Sequence, residues 1–117
     1  MVNNINAQLD TIFSALSDAT RRAMLQRLSK GDMSVADLAA PFDMTKPAVT
    51  KHLKVLENAG LLSRQIIGRQ HFCRLVPQPL SEAADWITFY EKFWNMKLDA
   101  LEQFLNVTTK PQGKNRG

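Results

Sequence analysis

Lys46, Thr50, Lys51 and Lys54 fall within nine residues at intervals that share one side of a helix, and Arg64, Arg69 and Arg74 follow soon after. These side chains suit a polyanion. Ammonium and guanidinium groups pair with phosphates, lysine also donates to guanine acceptors, and threonine offers a hydroxyl and a methyl to base edges. Between 46 and 74 six cations face one carboxylate, Glu57, whereas between 82 and 104 five carboxylates outnumber Lys92 and Lys97. Such a reversal separates a surface facing a polyanion from one facing solvent or a packing partner. The spacing assigns Lys46, Pro47, Thr50 and Lys51 to base edges, Pro47 offering a rigid apolar face without a donor. Thr45, Lys54, Arg64, Arg69 and Arg74 are assigned to the DNA backbone or to a wing beside it.

Other chemistry is poorly supplied. His52 sits beside an apolar stripe and reads as a packing or phosphate-facing residue. His71 and Cys73 share a strand face, but two donors do not make a tetrahedral metal site. The single cysteine, Cys73, excludes an intrachain disulfide and a thiolate cluster within one chain. There is no glycine-rich phosphate loop, paired-carboxylate site, zincin helix or nucleophile elbow, so neither catalysis nor a cofactor is expected.

The elements that must position the cations follow from periodicity. Leu9, Ile12, Phe13 and Leu16 predict a first helix ending near Ser17, and Ser17 or Asp18 caps a second through Leu28, stopped at Lys30-Gly31. Ser34-Val35-Ala36-Asp37 is a capping box that opens a short third helix. Thr45 caps a fourth, with Pro47 tolerated in its first turn and Val49, Leu53 and Leu56 as its buried stripe. After Gly60 the period changes to two, and Leu62 to Ile67 and Gln70 to Val76 flank a turn at Gly68-Arg69. Pro77 and Pro79 precede a last helix from about Leu80 to Leu105.

That last helix carries apolar residues around too much of its surface for one stripe, which predicts burial on two sides, one against a second copy of the chain. On the last helix, Trp86, Phe89, Tyr90, Phe93 and Leu101 are assigned to this contact. The alternative is a small-molecule or protein-partner site lined by Trp86, Tyr90 and Trp94.

At 117 residues the chain has room for one substantial domain, placed at 1–107, followed by a basic tail at 108–117 without periodicity that is expected to be disordered. No 18-residue apolar run is present, and Met1 to Asn6 lack the positive end and apolar core of a signal peptide, so a cytoplasmic protein without membrane partners is expected. The fold expected is mainly α with a small β-hairpin, a winged helix-turn-helix that binds double-stranded DNA.

Leu16-Ser17-Asp18-Ala19-Thr20-Arg21-Arg22 and the run from Lys46-Pro47-Ala48-Val49-Thr50-Lys51-His52-Leu53 to Ala59-Gly60-Leu61 resemble the ArsR/SmtB family. The resemblance extends from about Leu9 through the hairpin and, more loosely, through the last helix. It implies a homodimer built around the first and last helices, with Leu9, Ile12 and Phe13 of the first helix at the contact, that represses transcription by occupying promoter DNA, with release by an inducer in many members. Ser34 and Ala36 stand where metal-sensing members often carry paired cysteines, and residues 80 to 107 contain no histidine. The resemblance is therefore to the non-metal-sensing members.

Overall fold

Up to residue 75 the chain forms short helices, several with ends closed by side chains only a few residues away, and a small sheet of strands between residues 33 and 75. The computed structural model describes the backbone of residues 4–108, with side chains described for 7–106. α1 (Asn4–Leu16) and α2 (Ala19–Leu28) are joined by a turn in which Asp18 caps α2, its carboxylate accepting the Arg21 backbone N–H at 3.0 Å. α1 has no basic residue in its last turn. Its orphan carbonyls are instead satisfied by α2: Arg21 Nε donates to Ala15 O at 2.8 Å, Arg21 Nη2 to Ser14 O at 3.2 Å and Arg22 Nη1 to Leu16 O at 2.7 Å.

β1 (Met33–Ser34) leads directly into α3 (Val35–Ala39), where Ser34 Oγ accepts the Asp37 N–H at 3.0 Å. α4 (Lys46–Asn58) starts at the Thr45 cap, whose Oγ1 accepts the Ala48 N–H at 3.3 Å, with proline in the first turn. Gly60, at φ +75°, closes α4 in the left-handed region that favours glycine. β2 (Leu62–Ile67) and β3 (Gln70–Leu75) form the hairpin, and β1 adds to the far side of β3, giving the antiparallel order β1-β3-β2. Two residues show no alternation of their own. β1 exists because Met33 and Ser34 pair with Cys73 and Phe72, so the expected hairpin is a three-stranded sheet.

α5 (Gln78–Thr108) begins two residues before its expected start, since Pro79 needs no N–H in a first turn and is accommodated there. The chain divides between Ala83 and Ala84 into two compact units, so α5 begins in the first and continues as the second. The core of the first unit gathers Ala15, Met24, Leu25, Leu28, Leu38, Val49, Leu53, Leu56, Leu61, Leu62 and Cys73, with Phe42 and Leu80 packed against it. Among the described residues no helix is long and apolar enough to cross a membrane. Of the expected tail, 109–117 lie outside the described residues.

The Arg21 backbone N–H holds the Asp18 carboxyl below the ordinary carboxylate range, with desolvation opposing and the charges of His52 and Arg21 adding to the fall. A carboxyl depressed in the folded state contributes stability above its unfolded range and loses it as pH falls through its folded value. Asp18→Ala is therefore expected to lower unfolding stability by about 1 kcal/mol at neutral pH. In urea titrations over an acid pH series, the gap between wild type and variant should close as pH falls.

Candidate nucleic-acid interface

α4 presents two faces set by its sequence. Val49, Leu53 and Leu56 are buried, Leu56 completely, whereas Lys46, Pro47, Thr50, Lys51 and Lys54 are exposed. Fully burying an aliphatic side chain is worth about 1.5–3 kcal/mol, against under about 1 kcal/mol for an exposed ion pair, so the apolar stripe decides how α4 is held and the cations ride on it. With Val55, the five exposed residues line one open groove along the helix. His52, between Lys51 and Leu53, is half-buried, and its Nδ1 lies 3.1 Å from Arg21 Nη1 and 3.9 Å from Asp18 Oδ2.

The hairpin brings a second set of cations to the N-terminal end of α4. Gly68, at φ +66°, makes the turn, and the exposed Arg69 follows it at the tip. Arg64, Arg69, Gln70 and His71 of the hairpin line a cleft of about 440 Å³ together with Lys46 of α4 and Ser34, Val35 and Ala36 of β1 and α3. Lys46 thus borders both the groove along α4 and the cleft against the wing. Sequence spacing alone does not bring His71 to this surface; its place there follows from the register that sets it opposite Ile66 near the tip.

The arginines differ in freedom. Arg64 Nη2 donates to Glu57 Oε1 at 2.9 Å, with side chains 23% and 32% exposed, so it braces the wing against the end of α4. Arg74 is bound to Asp32 at 3.0 Å on an exposed surface. Among the described residues no carboxylate pairs with Lys46, Lys51, Lys54 or Arg69. These four leave positive charge without a local counterpart on one side of the first unit.

Cys73 is fully buried, and burial pushes its thiol above the ordinary range, with Arg64 opposing and Glu57 adding to the rise. His71, two residues along the same strand face, lies beyond the core and is exposed. Among the described residues no group of three or more His, Cys, Asp or Glu side chains is placed to hold a metal ion.

The residues assigned to contact between copies fall in different places. Leu9 and Ile12 are already buried within the chain, at 8% and 0% exposure, and Phe13 is half-buried. Trp86, Phe89, Tyr90, Phe93 and Leu101 are exposed on α5. Tyr90 has ring contacts to Trp86, Phe89 and Phe93 at centroid distances of 4.4, 5.1 and 6.4 Å.

Two helices joined by a short turn, the second carrying exposed cations and followed by a basic hairpin, define a winged helix-turn-helix regulator of transcription. Residues 16–65 match a helix-turn-helix domain family. The chain is 34% identical over 97 residues to the HTH-type transcriptional regulator Rv2034 of Mycobacterium tuberculosis, covering 83% of this chain and 88% of that protein. It is 33% identical to the transcriptional repressor SdpR of Bacillus subtilis, covering 68% and 88% respectively. A solved ArsR family transcriptional regulator superposes with a TM-score of 0.74 at 38% identity, covering 81% of this chain and 97% of that one. The chain belongs to the ArsR/SmtB family of DNA-binding transcriptional regulators, which is not a family of enzymes.

Because Arg69 is uncompensated and Arg74 is already paired, their neutralisation should differ. Arg69→Gln is expected to flatten the dependence of log affinity on log salt by about 0.9 for each phosphate that the guanidinium neutralised. Arg74→Gln should leave that slope nearly unchanged, and titrations of duplex DNA at several salt concentrations measure both.

Proposed function

We propose that the chain represses transcription as a homodimer that occupies double-stranded promoter DNA, with α4 in the major groove and the wing against the backbone or a narrow minor groove. The observation that carries this reading is the uncompensated cationic face of α4, held outward by the burial of Val49, Leu53 and Leu56. Lys46, Pro47, Thr50 and Lys51 read base edges, while Thr45, Lys54 and Arg69 meet phosphates. Arg64 contributes by bracing the wing, and Arg74 acts as a paired flanking charge. Residues 1–107 serve as one DNA-binding and dimerisation region, and the site takes no cofactor.

The exposed aromatic row on α5 supports self-association, since Trp86, Phe89, Tyr90 and Phe93 place large apolar surface in water. The same row, with the Trp86–Tyr90 contact at 4.4 Å, also suits an aromatic small molecule or a partner protein as the controlling signal. Control by a thiolate-bound metal is disfavoured by Ser34 and Ala36 at the start of α3 and by a cysteine that is buried and kept protonated.

Selection of bound fragments from random duplexes tests the central claim. The expected product is one enriched pseudo-palindrome with half-sites about 34–36 Å apart or a multiple of that spacing. Lys51→Ala should reorder the affinities of variants of that sequence, and recovery of fragments without enrichment, or an unchanged ranking, would refute base reading by α4. Sedimentation without DNA at micromolar protein should show a two-subunit species. Phe89→Glu should shift it to monomer, because a carboxylate must shed water to enter the interface.

A further inference from the structure

The contacts of His52 go beyond packing. Arg21 holds the last turn of α1 through Ser14 O and Ala15 O, and the same guanidinium reaches His52 on α4 through Nη1 at 3.1 Å. A guanidinium has donors and no acceptor, so the imidazole Nδ1 receives this bond with its lone pair, and the ring proton sits on Nε2. His52 is flanked by Lys51, on the exposed face, and Leu53, buried in the core. One side chain of α2 thus ties the end of α1 to the middle of the helix that carries the DNA-facing cations.

We propose that Arg21, His52 and Asp18 form an acid-sensitive tie that sets the position of α4, so that sequence discrimination is lost when the His52 ring takes up a proton. The proposal rests on the reading of α4 as the base-reading helix. Protonation converts Nδ1 from acceptor to donor and places an imidazolium against the Arg21 guanidinium. The Asp18 carboxylate, 3.9 Å from the same nitrogen, is the alternative partner. It is ionised throughout the range in which histidines titrate, because the Arg21 N–H holds it low. The proton therefore moves the ring from Arg21 toward Asp18, and the helix that bears it shifts against α1 and α2.

The other charges around the ring do not replace this exchange. From α2 the ring faces Arg21 and Asp18; the α1 groups bound by the same guanidinium are backbone carbonyls, and Asp10 of α1 lies further along, beside Val55 and Asn58. On α4 itself Lys51 and Lys54 are exposed. His52 positions the helix and reads no base. Charging any histidine also raises attraction to all DNA, and His71 in the wing cleft is a second source of that effect. The diagnostic quantity is therefore the ratio of affinities for the selected sequence and for an unrelated duplex of equal length, since a general gain in attraction cancels in it.

The experiment measures this ratio with the full chain at about pH 7.5 and about pH 5.5 at constant ionic strength. For the wild type the ratio should fall about tenfold in acid, which corresponds to about 1.4 kcal/mol. His52→Gln presents an amide oxygen to Arg21 and does not titrate, so its ratio should stay high at both pH values, whereas His52→Ala should be low at both. A wild-type ratio that does not fall, or a glutamine variant that falls with it, overturns the proposal. A nitrogen NMR spectrum of labelled histidine without DNA gives an independent arm. His52 should show an unprotonated Nδ1 at neutral pH and a doubly protonated ring in acid, accompanied by shifts of α4 amides that His52→Gln lacks. A proton on Nδ1 at neutral pH overturns the tie whatever the DNA result. Should fragment selection enrich no sequence, base reading fails separately, and the spectrum alone decides whether the tie exists.

Discussion

α4 must satisfy two solvents with one circumference, and the rest of the first unit is arranged around that demand. Its apolar stripe packs against α1, α2 and β2 and joins a core that includes Met24, Leu28, Leu38, Leu61 and Cys73. Burial fixes the rotation of the helix about its axis. That rotation is what leaves Lys46, Thr50, Lys51 and Lys54 in water without carboxylate partners. A quarter turn one way would carry Lys54 and Glu57 toward the core at the desolvation cost of a buried charge, and a quarter turn the other way would bury the His52 ring, so the core and the cationic face specify each other.

The ends of the elements carry the second constraint. α1 lacks a basic last turn, and its carbonyls are taken by Arg21 and Arg22 from the next helix. The Leu16 to Arg22 segment therefore has a physical reason for its charge: Asp18 closes the start of α2 while the two arginines close the end of α1. Because Arg21 also reaches His52, the same closure bears on α4. The wing is tied to that helix from the other end, where Arg64 meets Glu57 across the Gly60 turn. α4 is thus held by its buried stripe and by one polar contact to each side.

Much of this was legible in the residues because the interactions concerned are local. Caps at Asp18, Ser34 and Thr45 act over three residues, the helical and strand periods repeat within a few positions, and the run of cations from 46 to 74 needs no folding to be counted. Those features sufficed for the helix order, the hairpin, the cationic face of α4 and the resemblance to the family to which the chain belongs. What only the tertiary structure decided involves partners far apart in sequence. β1 is two residues long and is made by β3, some forty positions away. By sequence Arg64 and Arg74 are equally available for DNA, and only the packing sets Glu57 and Asp32 beside them. The sequence makes His52 a packing or phosphate-facing residue, and only the fold sets Arg21, thirty-one residues earlier, against it; burial of Leu9 and Ile12 within the chain is likewise a matter of the fold. Hydrophobic period records that a side chain will leave water but not which surface will cover it, and charge records that a group needs a counterpart but not which one the packing will deliver.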